Sequence, residues 1–221
     1  CKSGHGVGKS HCAAVLMLWF LYTRIDCKIV VTSPTQAQLQ DGLMAEIKRL
    51  YSMLPDALQA LVSVRQERFE LTGAPERGFI SARVARADSP TALQGIHAPN
   101  VMICIDEASG VPLSVWEASF GSLSSDNACC ILLGNPVYSS GFFYSIATSD
   151  NPDWKIMTVP CIDNPLVSES YIQEMRDRYG DRSNQWKIRV LGEFPVQDDD
   201  TVISAAPVSY THLRAHQTSL H

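Results

Sequence analysis

The chain begins with a segment rich in glycine that ends in a lysine and a hydroxyl, SGHGVGKS at residues 3–10. Its final GKS matches the end of the phosphate-binding pattern G-x-x-x-x-G-K-[ST], and Ser3 stands where the pattern has its first glycine. A continuous run of apolar, helix-compatible residues follows at positions 9–22. A loop that leads directly into such a helix restricts the chain to few folds, because the helix must be buried against a sheet.

The glycines, the lysine and the hydroxyl have separate tasks in such a loop. Gly4, Gly6 and Gly8 permit backbone angles that turn successive N–H groups inward, toward a polyphosphate. Lys9 would contact the β and γ phosphates, and the Ser10 hydroxyl would bind Mg²⁺. The alternative is a glycine-rich turn that only caps the first helix. The predicted nucleotide-binding residues are Ser3, Gly4, His5, Gly6, Val7, Gly8, Lys9, Ser10 and His11.

An acidic pair follows an apolar strand. VMICI at residues 101–105 is followed directly by Asp106 and Glu107. Open α/β sheets bind ligands at the carboxyl ends of their strands, so Asp106 is predicted to bind Mg²⁺ with Ser10, and Glu107 to position the attacking water as a base. A polar turn or a helix N-cap is the alternative for such a pair. Ser109 replaces the glycine of the GTPase pattern D-x-x-G, and N-K-x-D is absent, which favours ATP over GTP.

A third polar side chain follows the next apolar strand. The run ILLGNP carries Asn135, which is predicted to contact the γ phosphate or to hold the water, as a catalytic residue beside Glu107 and Lys9. An asparagine that stabilises only its own turn is the alternative. Arg83 and Arg86 are either cations that neutralise transition-state charge or solvated strand residues.

The hydrophobic periodicity alternates between strands and helices along the chain. This order predicts an α/β fold, a P-loop NTPase of the ASCE type with a mostly parallel sheet wrapped by helices, over residues 1–150. Residues 151–203 are expected to form a small, lid-like appendage and linker. Strands are predicted at 28–33, 66–72, 79–85, 101–105, 128–133 and 154–160, and helices at 9–22, 36–53, 112–123, 142–147, 168–179 and 182–191.

The composition excludes several classes of protein. A formal net charge of −5 rules out a global positive field that would attract nucleic acid, so contacts with DNA must be local. Seven cysteines without a CxxC pair predict reduced thiols in a cytosolic compartment, and Cys12, Cys104, Cys129 and Cys130, which lie in apolar runs, are expected to be buried. The most apolar window, residues 13–22, is shorter than the about 20 residues of a membrane span.

The ordered set of motifs resembles the large terminase subunit of tailed bacteriophages. Its members are SGHGVGKS, VTSPT, SPTALQGIHAPN, VMICIDEASGVP, LLGNP and SNQWKIRVLGEFP, and they extend over nearly all of residues 1–203. The resemblance implies an ATP-driven, Mg²⁺-dependent motor that packages viral DNA in the host cytoplasm. The implied partners are double-stranded DNA, the portal protein of the procapsid, the small terminase subunit and further copies of the chain in a ring, with no membrane.

The resemblance also implies roles for individual residues. Lys9 and Ser10 would be Walker A residues, and Asp106 and Glu107 would be Walker B residues. The turn at Asn135 would be the motif that couples hydrolysis to DNA movement.

Both ends of the chain are interpreted as incomplete. Only two residues precede Ser3, so the first strand is expected to be missing. The family carries a C-terminal nuclease domain of RNase H type, which is expected to begin where this chain departs from the resemblance. The acidic residues 198–200 are interpreted as linker, so no DNA cleavage is expected here. Residues 204–221 resemble a translated sequencing adapter and are interpreted as a non-native tail.

Two other functions stay open from the sequence. The chain could be another nucleic-acid-dependent P-loop ATPase, such as a helicase, which would separate strands without a portal or procapsid. It could also bind nucleotide without turning it over.

Overall fold

The computed structural model describes residues 1–88 and 93–196. The predicted tail at 204–221 and the acidic residues 198–200 lie outside this part of the chain. The strands are β1 (Lys2–Ser3), β2 (Cys27–Ser33), β3 (Val62–Val64), β4 (Arg68–Leu71), β5 (Gly78–Val84), β6 (Asn100–Ile105), β7 (Asn127–Leu132) and β8 (Thr158–Val159). The α-helices are α1 (Lys9–Thr23), α2 (Ala45–Ser52), α3 (Asp56–Gln59), α4 (Leu113–Ser119), α5 (Gly141–Thr148), α6 (Glu169–Tyr179) and α7 (Asn184–Trp186).

A six-stranded sheet in the order β3-β4-β5-β2-β6-β7 is the centre of the fold. The pairs β5–β2, β2–β6 and β6–β7 are parallel, whereas β3–β4 and β4–β5 are antiparallel. The two central strands β2 and β6 are buried over nearly their whole length, as their continuous apolar runs predict for strands covered on both faces. The mostly parallel sheet confirms the predicted α/β class.

Each face of the sheet has its own apolar core. On one face, α1 and α2 pack against β2 and β5, with Met17, Leu43 and Ile29 among the buried side chains. On the other face, α4 and α5 cover β6, where Trp116 stacks on Phe142 with ring centroids 5.0 Å apart. The carboxyl ends of β2, β6 and β7 therefore meet at one edge of a sheet that helices cover on both faces.

The chain forms a short strand directly before the glycine-rich loop. The two residues of this strand, β1, pair in parallel with β8. On its other side, the ammonium group of Cys1 donates to the Leu132 carbonyl oxygen at 2.6 Å, and the Ser3 N–H donates to the Gly134 carbonyl oxygen at 3.2 Å. Hydrogen bonds on both sides thus hold two residues in strand geometry.

A groove of about 980 Å³ runs beside β7, lined by α1 and residues 153–157. Cys104 is buried as predicted, but the prediction of buried thiols is wrong for Cys12 and Cys129, which are exposed along this groove, and Cys130 is half-buried. β7 is an edge strand of the six-stranded sheet in the described residues, and side chains along its outer edge face this groove.

Several predicted elements differ in length from the observed ones. The predicted helix over 36–53 is a π-helical turn, Gln38–Met44, followed by α2. The predicted helix over 182–191 is α7 followed by a π-helical turn, Lys187–Leu191. The predicted strand over 154–160 shortens to β8, whose two residues pair with Lys2 and Ser3. No helix in residues 1–88 or 93–196 is both long and apolar enough to span a bilayer.

The C-terminal residues fold back onto the glycine-rich loop. Cys161, Trp186 and Val190 form a small core with Val7 of the loop. The His5 N–H donates to the Arg189 carbonyl oxygen at 2.9 Å. The glycine-rich loop therefore packs between the main sheet and these C-terminal residues.

Replacement of Gly4 by alanine is expected to disrupt the packing of the loop against the C-terminal residues. A Cβ at Gly4 would overlap the Cys161 Sγ and would lie 2.8 Å from the carbonyl oxygens of Arg189 and Val190. We expect Gly4→Ala to lower the free energy of unfolding by about 2 kcal/mol, within the range for overpacked cores, as measured by urea denaturation. Gly121→Ala is the matched control, because nothing lies within 4 Å of its Cβ position. Equal stabilities of the two variants would contradict the close packing.

Candidate nucleotide-binding site

The glycine-rich loop forms a cradle of free amides. Gly8 adopts a left-handed conformation, φ 89° and ψ 19°, directly before α1, and no side chain caps the helix. Within the described residues, the N–H groups of residues 6–8 donate no hydrogen bond to the protein. Such amides, together with the N-terminal end of a helix dipole, form an anion-binding site. A polyphosphate therefore fits this loop by its geometry.

Three hydrogen bonds fix the ammonium group of Lys9 beside the glycine-rich loop. Its Nζ donates to the Ser3 Oγ at 3.0 Å, the Gly4 carbonyl oxygen at 3.3 Å and the Asn135 Oδ1 at 3.4 Å. Burial lowers the pKa of Lys9 from its ordinary value, and the carboxylates of Glu107 and Asp106 partly oppose this shift. The ammonium group is thus partly desolvated, and an anionic ligand would compensate its charge.

The acidic pair lies at the carboxyl end of β6. The Asp106 carboxylate accepts the Glu107 N–H at 3.0 Å, and Glu107 itself adopts a left-handed conformation with φ 50° and ψ 45°. Burial, and secondly the charge of Glu107, raise the pKa of Asp106 to about 6. A buried carboxylate beside a second one is a suitable ligand for a divalent cation, which would stabilise its charged form.

The raised pKa of Asp106 predicts how the stability of the folded chain depends on pH. Between its ordinary pKa of 3.8 and about 6, Asp106 binds a proton more strongly in the folded chain than in the unfolded chain. The folded state therefore loses stability as the pH rises through this window, by about 3 kcal/mol at most. We expect Asp106→Asn to raise the free energy of unfolding at pH 8 and to leave it unchanged below pH 4, because an amide does not ionise.

Urea denaturation from pH 4 to pH 8, without nucleotide or metal, measures this effect. The control is Asp126→Asn, which removes an exposed carboxylate and should shift stability similarly at both ends of the range. An Asp106→Asn chain that is less stable than the unsubstituted chain at pH 8 would contradict the raised pKa.

Asn135 connects three parts of the site. Its Nδ2 donates to the Ser3 carbonyl oxygen at 2.7 Å, and its Oδ1 accepts from Lys9. Its backbone carbonyl oxygen accepts the Ser109 Oγ–H at 2.6 Å. The side chain thus bonds across to the glycine-rich loop, which differs from the alternative that it stabilises only its own turn.

One cavity of about 610 Å³ brings most of the predicted residues together. Ser3 and Gly4 are buried at the start of the loop, and Asp106, beside Glu107, is only 5% exposed. These three residues therefore do not line the cavity. Arg83 and Arg86 do not line it either. The predicted residues that do line it are His5, Gly6, Val7, Gly8, Lys9, Ser10, His11, Glu107 and Asn135.

The cavity also has two lining residues that the sequence did not indicate, Gly42 and Glu46. The His11 Nδ1 lies 2.7 Å from the Glu46 carboxylate, which also accepts two hydrogen bonds from Arg49 at 2.9 and 2.7 Å. The hydrogen bonds from Arg49 and then His11 lower the pKa of Glu46 to about 2. The spacing of Glu46 and Arg49 predicts only a helical ion pair, and the place of Glu46 at the cavity depends on how α2 packs against α1.

Two buried hydroxyls near the acidic pair support a polar ligand here. The Thr32 and Ser33 side chains end β2, are fully buried, and find no hydrogen-bond partner in residues 1–88 and 93–196. The Asp106 N–H donates to the Thr32 carbonyl oxygen at 2.9 Å, so these hydroxyls lie one strand away from Asp106. Unsatisfied buried hydroxyls are costly unless water, an ion or a ligand group completes them.

The sequence of the chain is similar to that of a phage protein. No family model matches the chain. The chain is 29% identical over 211 residues to the "Probable terminase, large subunit" of Enterobacteria phage P7, and the match covers 89% of this chain and 42% of that relative. The chain therefore spans less than half the length of this curated relative.

Solved structures share the fold at low sequence identity. The large terminase ATPase domain of Thermus phage P74-26 is 20% identical, with a TM-score of 0.64 over 87% of this chain and 86% of that chain. The large terminase of a thermophilic bacteriophage, in complex with ADP, is 16% identical, with a TM-score of 0.71 over 88% of this chain and 48% of that chain. The P-loop NTPase fold is thus confirmed, and the sequence match confirms the resemblance to the large terminase subunit.

Proposed function

We propose that the chain is the ATPase part of a viral DNA-packaging motor and hydrolyses Mg·ATP. The observation that supports this most is that Lys9, Glu107 and Asn135 converge on one cavity beside the free amides of the loop. Hydrolysis needs a phosphate cradle, a cation and a group that positions water, and the loop amides, Lys9 and Glu107 would supply them.

The residues would divide the reaction among them. Bound ATP supplies the phosphoanhydride bond, and Mg²⁺, held by Ser10 and Asp106, would neutralise the phosphate charge. The loop amides and the Lys9 ammonium orient the phosphates and stabilise charge that develops on their oxygens. Glu107 accepts a proton from the attacking water, and Asn135 orients this water or the phosphate.

The packaging role comes from the relatives rather than from the site. The relatives are named terminase large subunits. By this likeness we propose that the chain translocates double-stranded DNA through a portal into a procapsid in the host cytoplasm, as a ring of copies and with the small terminase subunit. Because the chain covers 42% of its curated relative, these partners are proposed for the whole protein.

ATP turnover by the purified chain tests the proposal. We expect hydrolysis of ATP in preference to GTP, loss of hydrolysis in EDTA, and linear DNA that stays uncut in the same reaction. ATP that binds without being hydrolysed would favour the alternative of a nucleotide-binding protein without turnover. Strand separation without a portal or procapsid would favour a helicase.

A further inference from the structure

The turn that follows the acidic pair is attached to the Asn135 loop by two hydrogen bonds. The Ala108 N–H donates to the Leu133 carbonyl oxygen at 2.8 Å. One residue further along, the Ser109 Oγ–H donates to the Asn135 carbonyl oxygen at 2.6 Å. Only the second bond depends on a side chain, so it can be removed without changing the backbone pattern.

The hydrogen bond from Ser109 connects the turn that follows Glu107 to Asn135, and both Glu107 and Asn135 line the cavity. Asn135 is itself bound to the Ser3 carbonyl oxygen and to Lys9, as described above. Its carbonyl oxygen also accepts the Val137 N–H at 2.9 Å, which fixes the direction in which this oxygen points. The Ser109 hydroxyl therefore links the turn that carries Glu107 to the residue that contacts the phosphate-binding lysine.

Glu107 needs such support because of its backbone conformation. A non-glycine residue at φ 50° is held in a sparsely populated region, which is unfavourable and persists only where neighbours fix it. The Gly110 N–H donates back to the Glu107 carbonyl oxygen at 2.9 Å, so the 3₁₀ turn Ala108–Gly110 is joined to Glu107. The hydrogen bond of Ser109, in the middle of this turn, fixes the turn to the Asn135 loop.

We infer that Ser109 is a positioning residue, which holds the Glu107 carboxylate in the geometry for water activation through its bond to Asn135. The inference rests on the proposed function, since it concerns the same reaction. Ser109 lies outside the set of residues that line the cavity, so it acts through Glu107 rather than on the nucleotide. Removal of its hydroxyl should therefore affect the rate of the chemical step more than nucleotide binding.

Three variants of the full chain test this inference. We expect Ser109→Ala to lower kcat for ATP by about 10- to 100-fold, the size of effect that a misplaced catalytic group produces, with KM within about threefold. Ser109→Thr keeps the hydroxyl and should restore most of kcat. Ser149→Ala removes a similar hydroxyl bond, to the Ile146 carbonyl oxygen at 2.9 Å, at an exposed helix end and should change neither constant.

Amide hydrogen exchange without nucleotide gives a second readout that does not depend on turnover. We expect the Gly110 amide to exchange faster in Ser109→Ala than in the unsubstituted chain, and to return toward the original rate in Ser109→Thr. An unchanged kcat in Ser109→Ala, or a loss of kcat that merely follows a loss of folded protein in thermal unfolding, would overturn the inference. If the unsubstituted chain hydrolyses no ATP, the proposed function fails first and the role of Ser109 fails with it.

Discussion

Glu107→Gln is expected to lower kcat for ATP by at least about 100-fold, the contribution of a positioned base, while ATP still binds. Glutamine has nearly the shape of glutamate but cannot accept the proton of the attacking water. It also removes a negative charge next to Lys9, so repulsion between the site and the phosphates decreases. The dissociation constant for ATP should therefore stay equal or become smaller. Turnover by a coupled phosphate-release assay and binding by calorimetry measure the two effects separately.

The control for this variant is Glu117→Gln, which makes the same chemical change on the exposed side of α4. It should leave both kcat and affinity unchanged. A Glu107→Gln chain that turns over ATP at the original rate would show that Glu107 is not the base. A chain that loses binding together with turnover would assign Glu107 to the nucleotide or metal instead.

Lys9→Met is expected to weaken ATP binding by about 10- to 100-fold, because a hydrogen bond to a charged group contributes about 1.5 to 3 kcal/mol. Methionine keeps much of the length of the side chain and removes only the ammonium group. The same change removes the hydrogen bonds from Lys9 to Ser3, Gly4 and Asn135, so its effect on the stability of the ligand-free chain is measured separately. Calorimetric titration with ATP in the presence of Mg²⁺, and thermal unfolding without it, provide the two measurements.

Lys155→Met is the matched control, because Lys155 is exposed and does not line the cavity of about 610 Å³ at the glycine-rich loop. Its affinity for ATP should equal that of the unsubstituted chain. If Lys9→Met binds ATP as tightly as the control, the cradle does not hold the phosphates in the proposed way.

The main sheet could be predicted from the sequence because its pattern is local. A parallel strand covered on both faces needs a continuous apolar run, and residues 101–105 and 28–33 have one, so β6 and β2 lie within one residue of their predictions. β8 was predicted too long, because its bounds depend on pairing with residues that are far away in the sequence. The exposure of Cys12 and Cys129 depends on which tertiary neighbours cover α1 and β7, and an apolar run by itself cannot reveal that.

For the site, short motifs are enough to identify which chemical groups are present and at which strand ends they stand. The glycines, Lys9, the acidic pair and Asn135 each follow from a short motif, because loop conformation and strand polarity are properties of neighbouring residues. The hydrogen bonds that connect these groups could not be predicted from those motifs. The bond from Ser109 to Asn135 spans 26 positions in sequence and that from Asn135 to Ser3 spans 132, so each exists only where separate strands end side by side.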